Sequence, residues 1–309
     1  MNYQELAVVA GALDKEPTHF GIDRKREELL LQVDSLLGEA NSERTAELCR
    51  FYRKRVDRVL AEVKAYNGST PRLWKLYSSG VLIKDKGKVI AVDVNFGCVP
   101  GEGRTRLLLS ARQVRILAEI IDEYYCTHSH VDHLSPEICD ALFRRNKLMV
   151  MPQEAIVRWC INGACAAENL TSKHCRVFMN WQGNVNGGLD CAMYLFTLSN
   201  GKTVFVRGDI YHAEGFDGCL EMVDKWQQTI DYALMSPYHT GGGEAPVRIL
   251  EERYKCRTMP IHEWEFSHRK IGVAGAATQC FEELYREFAV PYTNGRAQML
   301  FWGEAIMLD

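Results

Sequence analysis

The chain has 309 residues, with 37 basic and 40 acidic side chains and a formal net charge of −3. A hydrophobic fraction of 47% and a charged fraction of 25% are ordinary for a globular protein, and the length is enough to bury a sizeable core. The near-balanced charge offers no broad basic field for nucleic acid or an anionic membrane, which makes nucleic acid an unlikely partner and disfavours a processive nuclease.

Neither a membrane-spanning apolar run nor a signal peptide is recognisable in the sequence, so no membrane association is expected. Eleven cysteines are scattered along the chain without a C-x2-C pair. This spacing indicates neither a zinc knuckle nor a disulfide framework, and it favours reduced, buried thiols. The predicted location is the cytoplasm.

The first part of the chain is expected to be helical. Apolar residues recur at helical spacing from Leu29 to Leu37 and again from Leu48 to Val63, which predicts a helical hairpin over residues 23–66. A turn-rich stretch follows. We therefore predict an N-terminal helical extension over 1–70 and a second domain over 71–309. The extension could cap that domain or form a homo-oligomer.

Strands and helices alternate through the rest of the sequence. The predicted strands are 81–84, 88–94, 123–126, 147–152, 176–181, 191–198, 202–206, 232–235, 257–260 and 299–304. The predicted helices are 111–120, one beginning at Ser135-Pro136-Glu137, and 153–160. Because polar residues gather at the ends of strands, the pattern predicts an α/β sandwich with its site on one rim.

The densest group of metal-ligand residues is the loop at 127–133, which reads THSHVDH directly after a predicted strand. Histidine is the commonest transition-metal ligand, and aspartate adds the negative charge that a divalent ion prefers. In an extended loop His128 and His130 project to the same side and can reach one ion. Asp132 and His133 then turn toward a second position nearby. The alternative is a polar surface loop or a set of structural histidines that satisfy one another, for which this spacing would be unusual.

The histidine loop and four further segments resemble the metallo-β-lactamase superfamily. The likeness is greatest to its ascorbate-6-phosphate lactonase-like branch and other predicted metal-dependent hydrolases. The likeness rests on LWKL at 73–76, IAVD at 90–93, the histidine loop, GKTVFVRGD at 201–209 and MPIH at 259–262. It implies a four-layer αββα fold with a dinuclear metal centre between two sheets. The two divalent ions would be Zn²⁺, with Mn²⁺ or Fe as alternatives.

The resemblance also implies the ligands: His128 and His130 on the first ion, Asp132, His133 and His262 on the second, and Asp209 bridging both. Asp93 would orient the loop through hydrogen bonds. Asp132 would in addition accept a proton from the attacking water. His212 follows Asp209 closely, and it orients the substrate, protonates a leaving group or makes a structural hydrogen bond.

One position departs from the family pattern. The family supplies a further histidine to the first ion, and Gln182 stands where that histidine is expected. An amide oxygen is a weaker ligand than imidazole, so the first ion would bind less tightly, be a different metal such as Mn²⁺, or be absent. Asn184, Asn186 or His174 could substitute.

These observations predict a metal-dependent hydrolase that uses a metal-activated water on a small substrate containing a lactone, ester, amide or phosphodiester bond. His130 stands where flavodiiron-type relatives carry glutamate, which favours hydrolysis over redox chemistry. The alternative is a weakened or non-catalytic metal-binding protein of the same fold, in which the N-terminal helices mediate assembly.

Overall fold

The computed structural model describes residues 3–21, 23–38, 45–101, 104–181, 189–210, 213–235, 246–266, 280–285 and 296–309. The described helices are α1 (Tyr3–Leu13), α2 (Arg24–Gly38), α3 (Thr45–Ala65), α4 (Ala111–Ile120), α5 (Pro136–Phe143), α6 (Gln153–Trp159), α7 (Ala213–Lys225), α8 (Pro246–Tyr254) and α9 (Phe281–Leu284). None of these helices combines the length and the apolar character that a membrane span requires.

The described strands fall into two large sheets and a hairpin. They are β1 (Arg72–Lys75), β2 (Val81–Asp85), β3 (Lys88–Val92), β4 (Cys98–Gly101), β5 (Arg104–Leu107), β6 (Glu123–Tyr125), β7 (Leu148–Met151), β8 (Cys165–Ala166), β9 (Cys175–Trp181), β10 (Asp190–Thr197), β11 (Thr203–Val206), β12 (Tyr232–Met235), β13 (Arg257–Pro260) and β14 (Ala305–Met307). The first sheet has the order β14-β1-β2-β3-β6-β7-β8 and the second β13-β12-β11-β10-β9, while β4 and β5 pair with each other.

The central strands of both sheets are buried on both faces. In β2, Ile83 belongs to the apolar core between the sheets, whereas its neighbour Leu82 packs in the core under the helices. In β11, Val206 and Phe205 divide between the two cores in the same way. Successive strand side chains point to opposite faces, so a continuous apolar run requires cover on both sides. The predicted αββα arrangement is confirmed.

The N-terminal helices pack against the last part of the chain. Arg26 of α2 donates two hydrogen bonds to the carboxylate of Glu304, at 3.0 and 2.7 Å, and both side chains are buried. In α3, the Tyr52 hydroxyl accepts a hydrogen bond from the backbone N–H of Tyr77 at 3.0 Å. Apolar residues of α1, α2 and α3 lie in the same core as those of the first sheet. The helical hairpin predicted for 23–66 corresponds to α2 and α3.

The strand predicted at 299–304 is wrong. Phe301 and Trp302 are fully buried, as their apolar character suggests. The backbone turns there, however, because Gly303 has a φ of +83° and the Glu304 carboxylate accepts a hydrogen bond from the N–H of Phe301 at 2.8 Å. The terminal strand follows this turn as β14 and pairs with β1. An apolar run alone does not distinguish a strand from a buried turn.

Candidate metal centre

Four loops that carry polar residues leave the carboxyl ends of parallel strands. Asp93 follows β3 and the loop 127–133 follows β6, and these two strands are parallel in the first sheet. Asp209 follows β11 and His262 follows β13, both in the parallel part of the second sheet. Parallel strands present their carboxyl ends at one edge, which is where open α/β sheets bind ligands.

Hydrogen bonds between the sheets bring these two edges together. The hydroxyl of Tyr194 in β10 donates to the carbonyl oxygen of Cys126 at 2.7 Å. The backbone N–H of Ala192 donates to the carbonyl oxygen of Thr127 at 2.8 Å. The start of the histidine loop is thereby fixed to the second sheet, and the loop faces Asp209 and His262.

Four buried side chains converge there: Asp132, His133, Asp209 and His262. Each offers one ligand atom, and these atoms lie within 4.8 Å of one another. His262 Nε2 lies 2.9 Å from Asp132 Oδ2 and 3.3 Å from Asp209 Oδ2, and His133 Nε2 lies 3.2 Å from Asp209 Oδ2. Two ligands about 2.0–2.1 Å from a tetrahedral Zn²⁺ stand about 3.3 Å apart. The spacing therefore suits a divalent ion.

His128 and His130 form a second group beside the first. The distance between His128 Nε2 and His130 Nδ1 is 3.0 Å, and His128 Nε2 lies 3.9 Å from Asp209 Oδ2. Asp209 thus faces both groups. Its other carboxylate oxygen, Oδ1, is buried and accepts no hydrogen bond from the described residues. A buried carboxylate oxygen without a donor is costly, and a cation in this position would satisfy it.

Asp93 orients the histidine loop from beneath. Its Oδ1 accepts a hydrogen bond from the backbone N–H of Thr127 at 2.8 Å, and its Oδ2 accepts one from the Thr127 hydroxyl at 2.8 Å. His133 Nδ1 lies 2.9 Å from the same Oδ2. When Nδ1–H donates to Asp93, the lone pair of His133 Nε2 points toward Asp132 and Asp209. These hydrogen bonds are the ones that the resemblance implied for Asp93.

Gly208 allows the close approach of the loop that carries Asp209. Its φ is +65°, in the left-handed region that glycine tolerates best. A Cβ at this position would lie 2.8 Å from Cys191 Sγ and 3.0 Å from Thr127 Cβ. A side chain here would push Asp209 away from the histidine loop, which explains why a glycine precedes this aspartate.

Carboxylates and imidazoles shift one another's protonation in this buried cluster. Burial works against a charged imidazole, but Asp209 and Asp132 outweigh it and hold the pKa of His133 and His262 well above the ordinary 6.5. Burial likewise works against charge on Asp209, yet His262 and His133 hold the pKa of that carboxyl well below its usual range. At His128, burial and the neighbouring His133 hold the pKa well below 6.5. In the absence of metal, protons on His133 and His262 balance the carboxylates.

Without metal, the protein should lose stability as the pH rises above 6.5. The folded state then keeps protons on His133 and His262 that the unfolded chain has lost, so this stabilisation is complete below pH 6.5 and disappears as the pH passes their raised pKa values. The slope is at most about 1.4 kcal/mol per pH unit for each histidine. Urea denaturation of chelator-treated protein from pH 6.5 to about 8 measures it.

The Asp209→Asn variant is the control for this pH dependence. It removes the carboxylate that raises both pKa values most, so its stability should change much less over the same range. Zn²⁺ binds neutral imidazole and displaces the protons, so its stabilising effect should grow with pH. An equal slope in wild type and variant would contradict this account.

Four of the predicted site residues lie outside the described residues: the ligand candidates Gln182, Asn184 and Asn186, and the catalytic candidate His212. His174, the other proposed substitute for the missing histidine, immediately precedes β9. Its Nε2 lies 2.9 Å from Oε2 of Glu123, the first residue of β6. The histidine loop follows the opposite end of β6, so the suggestion that His174 serves as a ligand is wrong.

A buried ion pair next to His262 was not predicted. Lys75 Nζ lies 2.8 Å from Glu263 Oε1, and each side chain is 1% exposed. Lys75 also donates to the carbonyl oxygen of Leu76 at 3.0 Å and to that of Ser78. The available signal was a lysine inside the apolar run of β1, whereas its partner lies nearly two hundred residues away in sequence. Only the packing of β1 beside the turn after β13 reveals the pair.

Several solved structures match most of the chain. A possible metal-dependent hydrolase from Veillonella parvula DSM 2008 matches with a TM-score of 0.57 and 14% identity, over 78% of this chain and 100% of its own. The isothiocyanate hydrolase from Delia radicum gut bacteria matches with a TM-score of 0.54 and 14% identity, over 76% of this chain and 98% of its own. The chain has the metallo-β-lactamase fold. The fold implied by the histidine loop is thus confirmed.

The structure of a variant of the β-hydroxylase CmlA also matches this chain, with a TM-score of 0.52 and 13% identity. That match covers 90% of this chain and 59% of CmlA. No protein-family model and no curated protein sequence matches the chain. Identities this low establish the fold alone, because one fold can carry different chemistries.

Proposed function

We propose that this protein is a metal-dependent hydrolase that attacks a small substrate with a metal-activated water. The observation that carries the proposal is the convergence of Asp132, His133, Asp209 and His262, buried and with ligand atoms within 4.8 Å of one another. Asp209 Oδ1, which is buried without a hydrogen-bond donor among the described residues, supports a cation at this place. Two of the structures that share the fold are named hydrolases.

We assign His128, His130 and Gln182 to the first ion, Asp132, His133 and His262 to the second, and Asp209 to both. Bound divalent ions would supply a hydroxide nucleophile at neutral pH and polarise the bond under attack. Zn²⁺ suits the imidazole and carboxylate donors, and Mn²⁺ or Fe are the alternatives.

The residues around the ions have separate tasks in this proposal. Asp132 accepts the proton of the attacking water, since its carboxylate belongs to the cluster and lies 2.9 Å from His262 Nε2. Asp93 holds His133 with Nε2 toward the ions. His212 remains the proposed proton donor to the leaving group. The scissile bond is a lactone, ester, amide or phosphodiester, and the ascorbate-6-phosphate lactonase-like branch remains the proposed relationship.

Metal content and turnover test the proposal together. The purified protein, loaded with Zn²⁺, Mn²⁺ or Fe²⁺, is expected to hold two equivalents per chain and to hydrolyse a nitrophenyl ester, a lactone or a nitrophenyl phosphodiester. Removal of metal by a chelator should abolish turnover, and returning the ion should restore it. Elemental analysis and initial rates measure both.

His174→Gln is the matched control, because it removes a histidine that lies away from the cluster and should leave metal content and rates unchanged. One equivalent or none, with no turnover on any of the three substrates, would reject the hydrolase. It would favour the alternative, a metal-binding protein of the same fold with an assembly role.

We further propose that residues 1–70 form a helical extension and 71–309 the hydrolase domain. Assembly into a homo-oligomer through the extension also remains a prediction. None of the eleven cysteines, all of which lie in the described residues, forms a disulfide, and this supports the proposed cytoplasmic location, where thiols stay reduced.

A further inference from the structure

The turn that carries His262 has an uncommon backbone. His262 has a φ of +78° and Trp264 a φ of +47°, and residues with side chains rarely adopt such values. Residues in this conformation persist only where the surrounding structure holds them. The direction in which His262 points therefore depends on the contacts that fix residues 262–264.

The first sheet supplies one set of these contacts. The backbone N–H of His262 donates to the carbonyl oxygen of Ser78 at 3.2 Å, and the same carbonyl accepts a hydrogen bond from Lys75. Lys75 also pairs with Glu263, the middle residue of the turn. These contacts hold the first two residues of the turn.

The N-terminal helix α2 holds the third residue. Asp34 Oδ1 accepts a hydrogen bond from Trp264 Nε1 at 2.7 Å, and Trp264 is 3% exposed. The same carboxylate accepts hydrogen bonds from the backbone N–H groups of Phe281, at 2.9 Å to Oδ1, and Glu282, at 2.7 Å to Oδ2. Both oxygens are engaged, so the orientation of the carboxylate toward Trp264 is fixed.

We propose that Asp34 is a positioning residue of the metal centre, which fixes the turn 262–264 through Trp264 and thereby aims His262 at the ion. The inference rests on the proposed metal-binding function. It gives the N-terminal helices a part in that function besides packing. A hydrogen bond to a carboxylate is roughly twice as strong as one between neutral groups. Mutation of residues that orient metal ligands typically lowers metal affinity about 10- to 100-fold.

Two variants test the role of Asp34. Asp34→Ala removes the acceptor, and Trp264→Phe removes only the indole N–H while keeping an aromatic ring in the buried site. Chelator competition on the full-length protein measures the Kd for Zn²⁺, and thermal denaturation gives the Tm without metal. We expect both variants to weaken Zn²⁺ binding about 10-fold.

The control is Asp14→Asn, an acidic residue of the same helical region whose ion pairs are with Arg55 and Arg58 of α3. It should lower the Tm without changing the Kd. If Asp34→Ala and Trp264→Phe also lower the Tm but bind Zn²⁺ as tightly as wild type, the positioning role is overturned. If the wild-type protein binds no Zn²⁺, the proposed function fails, and the inference fails with it.

Discussion

Replacing Asp209 with asparagine is expected to lower the affinity for Zn²⁺ by at least about 100-fold, since even partners one step removed from an ion contribute up to that factor. Asp209 Oδ2 lies 3.2 Å from His133 Nε2, 3.3 Å from His262 Nε2 and 3.9 Å from His128 Nε2, so it faces both groups of imidazoles. Asparagine keeps the shape of the side chain but removes the negative charge. Metal-dependent hydrolysis should fall below detection at metal concentrations that saturate the wild-type protein.

A matched control is Asp231, which contacts the start of β11, the opposite end of that strand from Asp209. Asp231 accepts a hydrogen bond from the N–H of Thr203, the first residue of β11, at 2.9 Å. Asp231→Asn therefore makes the same chemical change away from the metal centre, and it should leave Zn²⁺ affinity unchanged. Isothermal titration of both metal-free variants, with circular dichroism to verify folding, measures the difference. Wild-type affinity in Asp209→Asn would refute the bridging position.

Replacing Lys75 with methionine is expected to destabilise the protein by about 3–5 kcal/mol, the usual consequence of removing one partner of a buried ion pair. In the variant, Glu263 would stay buried but would lose the Lys75 ammonium group, which in the wild-type protein lies 2.8 Å from its Oε1. Burial already raises the pKa of Glu263 to about 7, against the opposing effect of Lys75. Urea denaturation in the presence of a chelator measures the loss independently of metal.

The double variant Lys75→Met, Glu263→Leu should recover most of that stability, because well-packed apolar residues replace buried ion pairs at little net change. Lys88→Met is the surface control. Lys88 pairs with Glu123 but is 41% exposed, so its loss should change stability by about 0–1 kcal/mol. If Lys75→Met lowers the free energy of unfolding no more than Lys88→Met does, the buried ion pair is not important for stability.

Local sequence patterns predicted many individual elements correctly. The helix predicted at 111–120 is found at Ala111–Ile120, where Ser110 and Gln113 form a reciprocal cap at its first turn. The strands predicted at 232–235 and 257–260 are also found with those bounds. Each of these predictions depends on residues a few positions apart, which is the range over which periodicity and capping act.

Other elements escaped local reasoning. Helix α1 was not separately predicted, because its apolar residues are not confined to one helical stripe. The hairpin of β4 and β5 and the helices α7 and α8 were not predicted either. The final strand was misplaced because burial of Phe301 and Trp302 comes from packing against distant helices and not from strand pairing.

The sequence by itself determined the ligand types, the loop that concentrates them and the alternation of strands and helices, since these are properties of neighbouring residues. Only the tertiary structure decided that Asp209 and His262 face that loop, that His174 does not, and that Lys75 pairs with Glu263. It also decided that Asp34 reaches Trp264, 230 positions away. Such contacts depend on how strands are ordered within the sheets and how helices pack over them, and no local pattern encodes either.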